Sequence, residues 1–252
     1  MDDFLHLGPL FDGRLAIVAT AVLVAGVVRG FSGFGTAMVL MPIASAAYSP
    51  TTALVLLFVT DTVMTVPLVA RAAPLCRWRQ VLPMVAGAAV TAPLGVYLLT
   101  ELDPVLVRWM MSLLIFAVVA VLIAGWRYRR AATPPLAFGV GGASGFSAGL
   151  TGLSGPPVVL FWLGGQDAQP RQVRADLIVY FGLMSVISAY SYWLNDVFTW
   201  VAVQIAVLLL LPYGLGLWLG ARGFGRSREA HYRWLAYGLC AGAAALALPV
   251  WA

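Results

Sequence analysis

Lysine is absent from this 252-residue chain; all fifteen basic residues are arginine. That excludes Schiff-base or ammonium chemistry at a lysine. Charge of either sign is scarce, at 10% of residues, while 62% are hydrophobic, far outside soluble globular usage. Cysteine offers little: Cys76 falls in a loop and Cys240 in an apolar run, which indicates neither a disulfide framework nor a metal cluster. No cofactor is expected. The apolar runs contain no His-Glu-x-x-His and no paired carboxylates, which argues against an intramembrane enzyme. No ATP-binding motif occurs either. His6 and His231 lie in flanking or loop sequence and read as solvated. Residues 1–13 carry Asp2, Asp3 and Asp12 where a signal peptide would be positive, so none is expected. The formal charge of +5 comes from arginines in short loops beside apolar runs, a matter of topology rather than of nucleic acid.

What is present is a series of apolar runs close to the roughly 20 residues a spanning helix needs. They predict an all-α polytopic membrane protein in two halves. The first, 1–130, holds a broken segment over 15–47 and helices over 51–70, 81–99 and 105–126. The second, 131–252, holds a broken segment over 135–165 and helices over 175–194, 201–220 and 234–251. Each broken segment carries a glycine-serine motif: Gly30-Phe-Ser-Gly-Phe-Gly35 in the first and Gly152-Leu-Ser-Gly-Pro-Pro157 in the second. Glycine costs a helix roughly 1 kcal/mol against alanine, so three in six residues argue for a break. Other echoes keep the same order: Leu94-Gly-Val-Tyr-Leu98 with Leu215-Gly-Leu-Trp-Leu219, and Arg108-Trp109 with Arg233-Trp234. They indicate an internal duplication.

Arginines set the expected orientation. Arg71, Arg77 and Arg79, then Arg127, Arg129 and Arg130, then Arg171 and Arg174, then Arg222, Arg226 and Arg228 mark four cytoplasmic stretches. Two of these flank segment 135–165, so it must enter and leave on one face as a re-entrant hairpin, with arms of about sixteen and ten residues. If the first half matches, each half has one hairpin and three spans. Three is odd, so the repeats are inverted, with both termini outside. Charge alone leaves segment 15–47 open between hairpin and single span, because Tyr48-Ser-Pro-Thr51 is uncharged. Trp78, Trp126, Trp193, Trp200 and Trp251 read as interfacial anchors.

The two motifs in this duplicated layout resemble the TauE/SafE family of sulfite exporter-type permeases across essentially the whole chain. The resemblance implies a secondary transporter of a small sulfur-containing anion, such as sulfite, thiosulfate or an organosulfonate like sulfoacetate, exporting it across the cytoplasmic (inner) membrane. An anion channel or a permease for small carboxylates is the alternative. The physics of the breaks agrees with an anion: helix N-termini near the midplane offer free N–H groups and partial positive charge. The candidate binding residues are Arg29, Ser32, Gly33, Gly35 and Thr36 in the first break, with Thr151, Ser154, Gly155 and Val158 in the second. The serines serve equally as helix caps, and Arg29 as a snorkelling helix-end residue. Asp61, about 15 Å into its helix, is a functional candidate. It could balance Arg29, carry a proton for coupling, or bond to Thr60, Thr62 or Thr65. Tyr180, Ser185, Ser188 and Gln204 could line a cavity or only pack. Asp176 suits a helix N-terminus. The partners implied are the anion, the bilayer and protons as a candidate coupling ion; a homodimer is allowed.

Overall fold

The computed structural model describes residues 13–32, 35–124, 133–163, 170–223, 229–246 and 248, and no strand occurs among them. In chain order the helices are α1 (Gly13–Ser32), α2 (Thr36–Ala47), α3 (Pro50–Ala72), α4 (Trp78–Glu101) and α5 (Pro104–Ile123). Then come α6 (Pro134–Thr151), α7 (Gly155–Leu163), α8 (Pro170–Leu194), α9 (Trp200–Gly223) and α10 (Glu229–Leu246), with a 3-10 turn over Ala73–Leu75. Six of these, α1, α3, α4, α5, α8 and α9, are long and apolar enough to cross a membrane. Their outer faces are greasy, with Leu211 75% and Val90 70% exposed, as lipid requires. Trp193, Trp200 and Trp218 project outward near helix ends. The chain is a multi-pass, all-helical membrane protein. Trp126 and Trp251, and the arginines at 127, 129, 130, 226 and 228, lie outside the described residues.

Helix ends depart from expectation where proline acts. α8 starts at Pro170, five residues before the expected Ala175, since the first helical position needs no N–H. α3 starts at Pro50 behind Ser49, whose side chain accepts the Thr52 N–H at 3.1 Å.

Each broken segment has a long and a short arm. α1 and α6, of 20 and 18 residues, reach about 30 and 27 Å; α2 and α7, of 12 and 9, reach only about 18 and 14 Å. The short arms cannot cross a core of roughly 30 Å, whereas α1 alone can. The first break also falls later than the motif suggests. α1 runs through Gly30 to Ser32, and the turn is made at Gly35, with φ of 100°. In the second segment α6 ends at Thr151 and the turn is made at Gly152, φ 75°, whose N–H caps Ala148 O at 2.8 Å.

Gly30 has a different use. It sits against Leu217, Gly220 and Ala221 of α9, where a side chain would strike backbone, and so belongs to a seam rather than to the break. Lipid supplies no hydrophobic force between helices, so close backbone approach at small residues holds them together. Two such seams organise the fold. In one, Gly26 of α1 faces Tyr213 O, the Leu217 N–H and Gly216 of α9. In the other, Gly149 of α6 faces Ala92 O, the Val96 N–H and Gly95 of α4, the same register in a second helix pair. Gly141 and Gly145 extend the second seam against Met84 and Ala88.

The buried apolar side chains form two clusters. One joins α1, α2, α3, α5, α9 and α10 around Leu40, Leu54, Met111 and Leu209. The other joins α4, α6, α7 and α8 around Met84, Val158, Trp162 and Tyr180. The first also takes in Val96 and Leu99 of α4, Leu150 of α6 and Tyr192 of α8, so the two share these helices.

Candidate substrate site

Arg29 is in the last turn of α1, where a cation suits the helix dipole. Its guanidinium is spent on neighbours. Nη1 lies 3.1 Å from Asp61 Oδ1, Nη2 donates to Thr65 Oγ1 at 2.7 Å, and the Cζ sits 5.6 Å from the Phe181 ring centroid. Asp61 Oδ1 also accepts the Tyr213 hydroxyl at 2.9 Å. That hydroxyl lies 2.9 Å from Thr36 Oγ1, the first residue of α2. One network thus ties α1, α2, α3 and α9 together at the first break. With the pair 14% and 19% exposed, each charge needs the other. Of the three readings of Asp61, the contacts made are those of a counter-ion; the threonine bond in this group belongs to Arg29.

The second break is built differently. Ser144 donates to Ser154 O at 2.6 Å and accepts from the Tyr180 hydroxyl at 2.8 Å, while Ser147 donates to Leu153 O at 2.8 Å. Thr151 Oγ1 bonds back to Ser147 O at 2.7 Å. Two hydroxyls of α6 therefore occupy carbonyls of the break, which would otherwise repel an anion, and Tyr180 of α8 supports the first of them. Pro156 and Pro157 leave only Gly155 and Val158 with N–H groups in the first four positions of α7. Met41 of α2 packs on Gly152, so the short arm of the first segment touches the second break.

A cavity of about 60 Å³ opens between α3 and α8. At about 10–15 Å³ per water, that holds a few waters or one anion of a few heavy atoms. Leu57, Phe58, Asp61 and Thr62 line one wall; Phe181, Met184, Ser185 and Ser188 line the other, and Gly152 and Ser154 of the second break close it. Thr62 Oγ1 is buried without a hydrogen-bond partner among the described residues. An unpaired buried hydroxyl costs about 1–3 kcal/mol.

The structure brings Asp61, Gly152 and Ser154 onto the cavity, with Arg29 in contact with Asp61 and Phe181. Thr36 is buried in the Tyr213 contact, Thr151 and Val158 are buried off the cavity, and Gly155 lies beside Phe181. Gly33 and the Ser32 side chain are outside the described residues. Ser185 and Ser188, given little weight in the sequence, line the wall. Tyr213 and Phe181 were missed; the one available signal was a hydroxyl beside Pro212 in the middle of an apolar helix.

A broken helix in each half, seamed to a glycine-bearing helix of the other and joined at a polar pocket, is a plan for moving a solute. The family model described as sulfite exporter TauE/SafE matches residues 18–247, nearly the whole chain. The chain belongs to the TauE/SafE family. No curated protein and no solved structure matches it. TauE/SafE proteins are membrane transporters, and the match runs through both breaks and every element of the pocket.

A second polar cluster lies at one end of the molecule. Asp176 is fully buried. Its Oδ1 accepts the Arg77 backbone N–H at 2.7 Å, and its Oδ2 accepts Nε at 2.7 Å and pairs with Nη2 at 2.7 Å. Asp176 is not at a helix N-terminus as expected, since α8 starts six residues earlier at Pro170; it fastens the α3–α4 connection to α8. Gln172 donates to Leu75 O in the same clasp. The neighbouring Cys76 thiol is pushed up to about 12, by burial first and then by the Asp176 carboxylate, with Arg77 opposing.

Proposed function

We propose that this protein is a secondary transporter of a small sulfur-containing anion, sulfite, thiosulfate or an organosulfonate such as sulfoacetate, and that it exports it. The observation that carries the reading is the polar cavity at the second break, backed by the buried Arg29–Asp61 pair. Arg29 supplies a permanent charge and a planar fork suited to paired oxyanion oxygens. Ser154 and Ser188 supply hydroxyl donors, Ser185 adds one once it leaves the Phe181 carbonyl it bonds at 3.1 Å, and the short α7 adds the N–H of Gly155. Sulfur as the central atom and the outward direction are supported by the family description, since a small carboxylate would satisfy the same donors.

Transport rather than catalysis is supported by the family match. The orientation follows from the arginine loops: the α3–α4 and α9–α10 connections in the cytoplasm of a bacterial-type inner membrane, and both termini outside. The inverted-repeat reading is supported by the shared register of the two glycine seams. Its consequence is a carrier in which α1–α9 and α4–α6 rock about the α3–α8 contact.

The test is a binding screen on the purified protein with sulfite, thiosulfate, sulfoacetate, sulfate and acetate, read by calorimetry. Saturable binding of sulfur oxyanions is expected, lost in Ser154→Val and weakened in Ser188→Ala. Preference for acetate would move the protein to the carboxylate class, and binding of none would end the anion reading.

A further inference from the structure

The cavity offers an incoming anion a carboxylate before a guanidinium. Asp61 lines the wall, while Arg29 is engaged with Asp61 and Thr65 and stacked on Phe181. Arg29 and Asp61 together are neutral. An anion added to that pair leaves one uncompensated negative charge at membrane depth, beside an existing carboxylate. We infer that Asp61 takes up a proton when the anion binds, so that anion and proton cross together. The inference rests on the anion-transporter reading above and adds the coupling ion and its residue.

The atoms are placed for this exchange. Asp61 Oδ1 takes both the Arg29 and the Tyr213 contacts, and the carboxylate lines the cavity, which assigns the proton to Oδ2. A protonated Oδ2 becomes a donor on a residue that lines the cavity. The Arg29 charge, released from Asp61, is then available to the anion. On the far side the anion leaves, Oδ2 loses its proton to water, and Asp61 pairs with Arg29 again. The empty carrier is thereby neutral, and so is the carrier loaded with a monovalent anion and one proton.

The groups around Asp61 do not offer a rival site. Arg29 from α1 remains charged throughout. Tyr213 from α9 is a donor to Asp61, and Tyr192 from α8 lines the same cavity as a phenol. α2 contributes Thr36, and the second break contributes Ser154; neither titrates. The charged residues of α4 and α5, Arg79, Glu101 and Arg108, sit near helix ends, and Tyr97 faces outward.

The experiment uses the full chain in proteoliposomes holding a pH-sensitive dye, with methanesulfonate as the monovalent probe and thiosulfate as the divalent comparison. Methanesulfonate stays ionised across the range, so a proton that moves with it is carried by the protein. The expected result is luminal acidification by one proton per methanesulfonate taken up, at a rate indifferent to an imposed membrane potential. The apparent KM should rise with pH, by up to tenfold per pH unit, as one proton bound with each anion requires. Asp61→Asn should lose both acidification and pH slope whatever its rate, and Asp61→Glu should regain both. Potential-driven methanesulfonate flux without acidification overturns the inference, as does a pH slope retained in Asp61→Asn. Absence of flux for both anions at every pH overturns the transporter reading instead, and this inference with it.

Discussion

The Tyr213 hydroxyl bridges Asp61 and Thr36, so one oxygen atom joins α3, α9 and α2. Tyr213→Phe leaves Thr36, 2% exposed, without its partner and should lower stability by about 1–3 kcal/mol, measured by thermal unfolding in detergent. Arg29→Gln strands the Asp61 carboxylate and should cost about 3 kcal/mol, the low end for a buried pair because both groups keep some exposure. The double variant Arg29→Gln with Asp61→Asn should cost less than the sum of the singles; additivity would mean the pair is not coupled. At the other polar cluster, a thiol pushed up to about 12 is ionised on the order of 10⁻⁵ at pH 7. Iodoacetamide should leave Cys76 nearly untouched in the native protein, and Asp176→Asn, which removes a negative neighbour, should speed its alkylation. Equal rates in the two proteins would contradict the assigned cause. Arg29 and Asp61 stood out in the sequence because a charge inside an apolar run is costly and needs a reason. Tyr213 did not, because a single phenol in the 24 residues of α9 satisfies helix packing equally well. Asp176 was read from its nearest sequence neighbours, Arg171 and Arg174, while its actual partner, Arg77, is 99 positions away.

At the scale of the helices, glycine does two jobs that composition alone does not separate. Gly35 and Gly152 turn the chain at positive φ, whereas Gly26, Gly30, Gly145 and Gly149 clear a path for a neighbouring backbone. The motif Gly30-Phe-Ser-Gly-Phe-Gly35 was legible as a break, but which of its glycines breaks the helix was not, since that depends on where α9 lies. Segment ends at 170 and 229 were equally hidden, because apolar runs mark what lipid covers and not where a helix begins. α6 offers a matched test of the seam. A Cβ on Gly145 would lie 2.5 Å from Ala88 Cα, while one on Gly139 meets nothing within 4 Å. Gly139→Ala should be neutral or stabilising by up to about 1 kcal/mol, from helix propensity. Gly145→Ala should destabilise through backbone displacement, by about 1–3 kcal/mol. Similar melting shifts for both would show that α4 and α6 are not held by this contact. Gly152→Ala adds strained φ to a clash with Met41 and should disturb both broken segments at once.

For the whole molecule, the six long apolar helices and the two broken segments make a membrane protein of the TauE/SafE family, and the placement of its ends is open to direct labelling. In a background of Cys76→Ser and Cys240→Ala, single cysteines at Leu75, Thr133 and Gln172 should share the cytoplasmic side. Thr100→Cys and Asp196→Cys should react with an impermeant reagent from outside. Thr133 and Gln172 on opposite sides would rule out a re-entrant α6–α7 segment. The central claim is that the Arg29–Asp61 pair and the α3–α8 cavity carry a small sulfur oxyanion. It is tested most directly by uptake of labelled sulfite, thiosulfate, sulfoacetate and acetate into proteoliposomes, with wild type beside Arg29→Lys. Lysine keeps the charge but loses the planar fork, so affinity should fall by about 1–3 kcal/mol, roughly 5- to 150-fold. Saturable flux selective for the sulfur anions and weakened to that extent by Arg29→Lys is the predicted result. Flux of none of them, or flux that Arg29→Lys leaves unchanged, would contradict it.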